Sequence, residues 1–308
     1  MRSARLFIAG GFALLCIIWG STWLAIKIGL DSVPPFYGVA IRFAVALPIL
    51  FFLMKLRGLT IPGDRKSLRL FFTVGILSFG LPFSIIYWSE QFLPSGLMSI
   101  LFAIFPFVVA ILSHFFLADE PMNGYKLVGI VLGFSGIVLI FSRGLHWNED
   151  FAFLGMLGVL VAAVFQGAGL VLVKKNGREI SPITLNFAAM FVGTMLTALF
   201  ALTFERVSDI RLDAKAIGSI LYLGSLGSVV TFTVYYWLLK RVEAVYLSLV
   251  AFITPITAVF LGALILGETL ETNTFLGAAF VLAGLLVANG KGLKKLFLDS
   301  QRKEPIVG

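Results

Sequence analysis

Ten apolar stretches follow one another along the chain, at residues 6–30, 35–56, 67–89, 94–117, 123–142, 151–173, 182–204, 214–239, 244–266 and 273–290. Each is near the ~20 residues that carry an α-helix through a ~30 Å hydrocarbon layer. Hydrophobic residues make up 59% of the 308 positions and charged residues 13%, against ~45–50% and ~25% in soluble domains. A soluble core cannot bury that much apolar surface, so the expected fold is all-α integral membrane, with ten transmembrane helices. The first stretch follows Arg2 and Arg5 as a signal peptide would. It exceeds a ~7–15-residue signal core and continues through Trp19 and Trp23 without a small-residue cleavage site, so it reads as a retained helix.

The two halves repeat each other. Gly75, Tyr87, Trp88, Ser99 and Pro106 recur 149 positions later as Gly224, Tyr236, Trp237, Ser248 and Pro255. After the loss of one residue, Glu120, Gly129 and Gly136 recur as Glu268, Gly277 and Gly284. These residue types are not interchangeable on a lipid-facing helix, which favours duplication over chance. The units expected are a first five-helix repeat at 1–142, a second at 151–290, and a short basic tail at 291–308. Five crossings per unit is an odd number, so the second copy enters the membrane from the opposite side. Two inverted five-helix repeats around a midplane site are the recurring architecture of secondary transporters.

Positive charge sets the expected orientation. With the N-terminus inside, 18 Lys and Arg fall in inner segments and 4 in outer loops. Both termini are therefore expected in the cytoplasm of a multi-pass protein of a bacterial inner membrane. Topology and lipid headgroups account for the net charge of +8, so no nucleic-acid partner is invoked; a small-molecule substrate, the lipid bilayer, and a monomer or homodimer are expected.

Chemistry-bearing clusters are scarce. Cys16 stands alone, and His114 and His146 lack ligand spacing, so no metal, cofactor or disulfide framework is expected. The loops show neither paired carboxylates beside a nucleophile nor a Walker-type phosphate loop. This disfavours an enzyme and ATP-driven pumping. A structural membrane subunit is the remaining alternative, opposed by polar groups within the spans.

Trp19-Gly20-Ser21-Thr22 in the first span, Arg42-Phe43 in the second, a Pro in the fourth helix of each half, an acidic turn and a Gly-spaced fifth helix follow in order. Together they resemble the drug/metabolite transporter superfamily and, within it, the ten-helix EamA-type exporters. The resemblance spans about residues 6–290. It implies export of metabolites, amino acids or toxic compounds through a central cavity, with the last helix of each repeat at the periphery. The second repeat departs from the first, with Phe165-Gln166-Gly167 opposite Trp19-Gly20-Ser21 and no arginine matching Arg42.

The candidate substrate-binding residues are Trp19, Thr22, Trp23, Arg42, Phe83, Ser84, Tyr87, Phe102, Gln166, Asn186 and Tyr236. Arg42 lies roughly 10 Å inside its helix at 1.5 Å per residue, and a charge at such depth commonly faces a cavity. It has two readings: an anchor for a substrate carboxylate, or a helix-to-helix lock through backbone carbonyls or Glu90. Trp19 and Trp23, one turn apart near mid-span, read as aromatic wall or as packing bulk. Phe83 and Tyr87 continue a stripe from Phe79, with Ser84 beside it. Gln166 and Asn186 are polar groups in hydrocarbon that either face the cavity or bond across helices. Lys27 reads as a headgroup anchor, with a gate pair to Glu90 or Asp31 as the alternative. Glu120 and Glu268 read as caps on the helices that follow them. Pro106 and Pro255 read as paired bends.

Overall fold

The computed structural model describes residues 2–117, 121–144, 151–239, 241 and 244–290. Glu120, His146 and the tail at 291–308 lie outside them, as does the side chain of Ser248. The helices are α1 Arg2–Leu30, α2 Pro35–Leu56, α3 Arg65–Glu90, α4 Ser95–Phe116, α5 Gly124–Gly144, α6 Ala152–Asn176, α7 Pro182–Phe204, α8 Ala214–Leu238, α9 Ala244–Leu261 continued by a π-helical turn Gly262–Leu266, and α10 Thr272–Ala288. The first eight are long and apolar enough to cross a membrane, and α9 and α10 contribute shorter apolar stretches. The all-helical membrane fold expected from the apolar runs is therefore present, with no strand among the described residues.

Matched local devices start and interrupt the third helix of each half. Asp64 accepts the Ser67 N–H at 2.9 Å and caps α3. Its counterpart 149 positions on, Asp213, accepts the Ala216 N–H at 2.8 Å and caps α8. Such caps satisfy a donor that the first helical turn leaves open. Both helices then pass through a π-helical turn, Gly75–Gly80 in α3 and Ser225–Val230 in α8. Each turn is approached by the second helix of the other half. A Cβ added at Gly75 would meet the Ala189 carbonyl of α7 at 2.6 Å, and one at Gly224 the Arg42 carbonyl of α2 at 2.9 Å. Glycine is required there because the backbones themselves touch.

The fifth helices pack on each other through small residues. Gly129, Gly133 and Gly136 of α5 face Gly277 and Gly284 of α10, and a Cβ at Gly277 would meet the Gly136 carbonyl at 2.7 Å. The outer faces of both helices are exposed apolar surface, with Val131, Val138, Phe275 and Phe280 among it. The glycines thus serve helix approach, as small residues do in membranes.

Two sequence expectations change. Glu268 does not cap the α10 helix that follows it; its carboxylate accepts the Ser95 N–H at 2.8 Å, the Ser95 hydroxyl at 2.9 Å and the Gly96 N–H at 3.2 Å. A longer reach across the bundle wins because the first turn of α4 offers three donors at one point. The two prolines also differ. Pro106 follows a break at Ala103–Ile104 in α4, whereas α9 runs through Pro255 without interruption.

Candidate substrate cavity

A cavity of about 380 Å³ opens inside the bundle, within the ~300–1,000 Å³ range of small-molecule sites. At one end it is lined by the buried Trp23, Ile26, Arg42 and Ile86, and it runs toward Lys126, Lys174, Ala288 and Asn289. Those last residues sit at the start of α5 and the ends of α6 and α10, the end of the bundle at which α1 begins.

The wall is aromatic. Trp19 meets Phe232 and Tyr235 at centroid distances of 5.9 and 5.0 Å, and Trp23 meets Phe102 at 5.5 Å. Phe83 and Phe232, 149 positions apart, meet edge to face in the cavity wall with centroids 6.4 Å apart. Thr22, Gln166 and Tyr236 add polar atoms, with the Thr22 hydroxyl returned to the Trp19 carbonyl at 2.7 Å.

Arg42 carries both of its readings at once. The side chain is 2% exposed and lines the cavity. Its Nε donates to the Ser228 hydroxyl at 2.9 Å and one terminal nitrogen to the Gly227 carbonyl at 3.0 Å, both in the π-turn of α8. The other terminal nitrogen reaches the Tyr87 hydroxyl at 3.4 Å, and the guanidinium sits 4.8 Å from the centroid of Phe83. The π-turn supplies the docking point: Ser228 donates its hydroxyl to Leu223, five residues back, and so presents its oxygen to Arg42. No carboxylate forms an ion pair with Arg42 among the described residues.

Eight of the eleven candidate residues therefore line one cavity: Trp19, Thr22, Trp23, Arg42, Phe83, Phe102, Gln166 and Tyr236. Three do not. Tyr87 packs beside Gly38, where an added Cβ would meet its ring at 3.1 Å, and reaches Arg42 from behind the wall. Ser84 is buried with no partner for its hydroxyl, and Asn186 is fully buried with neither amide atom bonded among the described residues. Asn186 lies on α7, which packs on α2 and the π-turn of α3 rather than on the cavity. Phe232, Tyr235 and Ser78 line the cavity and escaped the sequence reading. Phe232 was reachable, since it is the repeat counterpart of Phe83.

The opposite end is closed. Lys27 Nζ donates to the backbone carbonyls of Glu90, Gln91 and Leu93 at 2.7, 3.4 and 3.0 Å, so it clamps α1 to the α3–α4 turn rather than reaching for headgroups or pairing with a carboxylate. Around it, Ser32 and Asp213 share a hydrogen bond of 2.5 Å and Lys215 pairs with Asp31 at 2.9 Å. Glu205 accepts the Phe36 and Tyr37 N–H groups at 2.8 and 2.9 Å.

A ten-helix membrane bundle with an aromatic-walled internal cavity, clamped at its far end by Lys27, suits a transporter-type membrane protein. Its sequence matches the EamA-like transporter family over residues 6–142 and again over 153–290, and the chain belongs to that family. It is 31% identical to the uncharacterized transporter YoaV of Bacillus subtilis, over 90% of this chain and 94% of that protein. It is 29% identical to the uncharacterized inner membrane transporter YedA of Escherichia coli K12, over 92% and 91%. A crystal structure shares the fold at a TM-score of 0.68 and 18% identity, over 94% of this chain and 96% of that one. The protein is thus a multi-pass membrane transporter of the EamA-like family.

Proposed function

We propose that the protein exports a small amphipathic metabolite bearing a carboxylate, an amino acid or related organic acid, across a bacterial inner membrane. The observation that carries this reading is the guanidinium of Arg42: a buried positive charge, without a carboxylate ion-pair partner among the described residues, at the far end of an aromatic-walled cavity. An intramembrane charge is retained at a cost and is commonly matched by what it binds. The aromatic rings then take the apolar part of the ligand, while Thr22 and Gln166 contribute hydrogen bonds.

Alternating access follows from the duplication. The two halves line the cavity together, and exchange of conformation between inverted halves moves its opening from one side of the membrane to the other. With both termini in the cytoplasm, the end clamped by Lys27 faces outward. No nucleotide is required, because rocking of the two halves is sufficient to move the opening.

The test compares metabolites in the medium of cells overexpressing and lacking the protein, followed by flux of the enriched compounds in proteoliposomes without nucleotide. Nucleotide-free flux of a small carboxylate supports the reading. Flux confined to bulky cations would instead favour broad efflux of toxic compounds, and absence of any solute flux would remove the transport assignment.

A further inference from the structure

The closed end of the cavity contains a carboxyl group that the transport reading leaves unused. Glu90 is fully buried, and neither carboxylate oxygen has a hydrogen-bond partner among the described residues. Lys27, the cation closest to hand, donates to the Glu90 main-chain carbonyl at 2.7 Å instead of its side chain. An ionised carboxylate taken out of water without donors is very costly, and such a group neutralises or finds a counter-charge.

Its position ties it to the cavity. Phe83 and Ile86 line the wall from α3, and Glu90 follows them at i+7 and i+4, on the same helix face. Lys27 follows Trp19 and Trp23, which line the wall from α1, at i+8 and i+4. Glu90 and Lys27 are thus the next side chains on two cavity-lining stripes, placed just beyond the point where the clamp stops the cavity. Opening of that end would bring water to both.

The charges that act on Glu90 are Lys27 from α1, Arg42 from α2 and Glu268 from the segment after α9, with Tyr87 one turn below on its own helix. From α6, packed along the same segment, come Gly155 and Gly158. Three donors at the start of α4 already hold the Glu268 carboxylate.

We propose that Glu90 is a proton-binding site that governs the closed end: it carries a proton while the Lys27 clamp is shut and releases that proton to entering water as the end opens. The bond broken is the carboxyl O–H, the acceptor is water at the newly formed mouth, and the carboxylate left behind gains solvation and the freed Lys27 ammonium. Closing reverses each step. Proton release on opening means that rising pH favours the open form.

The experiment places spin labels at Gln91→Cys and Ser208→Cys, both exposed positions at this end, in a Cys16→Ala background in lipid nanodiscs. Interspin distances are measured between about pH 5 and about pH 9, where one released proton changes the open-to-closed ratio by at most about tenfold per pH unit. The expected result is a growing long-distance population with pH that Glu90→Gln abolishes, leaving the short distance at every pH. Ser89→Ala, a neighbour whose hydroxyl has no partner among the described residues and cannot titrate, and Glu205→Gln, a half-buried carboxyl elsewhere at this end, should keep the pH dependence. A Glu90→Gln protein with unchanged pH dependence would overturn the proposal. So would loss of that dependence in Glu205→Gln, or a wild-type distribution that ignores pH.

Discussion

Arg42 of α2 and Ser228 of α8 meet at 2.9 Å, so the second helix of the first half is fastened to the π-turn of the second. The π-turn makes the contact available, since its bulge directs the Ser228 hydroxyl to Leu223 and the Gly227 carbonyl to Arg42. Ser228→Ala removes an acceptor from a buried guanidinium, a loss of about 1.5–3 kcal/mol for a charged hydrogen bond. Thermal unfolding in detergent should show that destabilisation. The Arg42→Gln, Ser228→Ala double variant should lose less than the sum of the singles, and strict additivity would mean that the contact carries no energy.

The α5–α10 contact makes a sharper prediction about space. Gly277→Ala places a methyl group against the Gly136 carbonyl and the Ile140 side chain, whereas Gly218→Ala on α8 enters open space. Overpacking costs about 1–3 kcal/mol. Gly277→Ala should therefore reduce folded membrane yield and melting temperature while Gly218→Ala leaves both intact. Equal behaviour of the two would place α5 and α10 farther apart than described.

Asp213 gives a pH prediction. The Ser32 hydroxyl and the Ala216 N–H hold its carboxyl below the usual aspartate value. A depressed folded-state value contributes stability above the unfolded value of about 3.9 and loses it as pH falls through the folded one. Asp213→Asn should lower the melting temperature near neutrality and flatten its decline below about pH 4. Parallel acid limbs for the variant and the wild type would contradict the assignment.

Orientation is tested separately. The charge asymmetry predicts both termini in the cytoplasm and the α7–α8 loop outside, so reporter fusions after Arg302 and after Asp209 should report opposite sides. The same sidedness for both would reverse or break the topology.

Much of this arrangement was legible because each signal was local. Span ends follow from hydropathy, as at α3, where an apolar run of 67–89 became Arg65–Glu90. Eight cavity residues were found because polar or aromatic groups in mid-span stand out from lipid-facing sequence. Misplacements arose where tertiary contact decided. Tyr87 continues the Phe79–Phe83 stripe but lies past the point where α2 closes on α3, so it packs beside Gly38. Asn186 looks like a site residue by composition, yet the helix that carries it packs away from the cavity. Lys27 has the reach to snorkel, but three carbonyls of the α3–α4 turn lie nearer. Asp64 and Asp213 were missed as a repeated pair because capping depends on short polar segments outside the apolar runs.

The most direct test of a carboxylate-carrying cavity is the flux ratio of an anionic substrate to its uncharged amide in proteoliposomes, compared between wild type and Arg42→Gln. Loss of a charge-assisted contact of about 1.5–3 kcal/mol corresponds to roughly tenfold or more in affinity. The variant should fold, insert and carry the amide while losing the anion by about that factor under subsaturating conditions. Equal loss of both solutes, with the protein still folded, would leave Arg42 as the fastening between α2 and α8 alone and contradict its role in recognising the cargo.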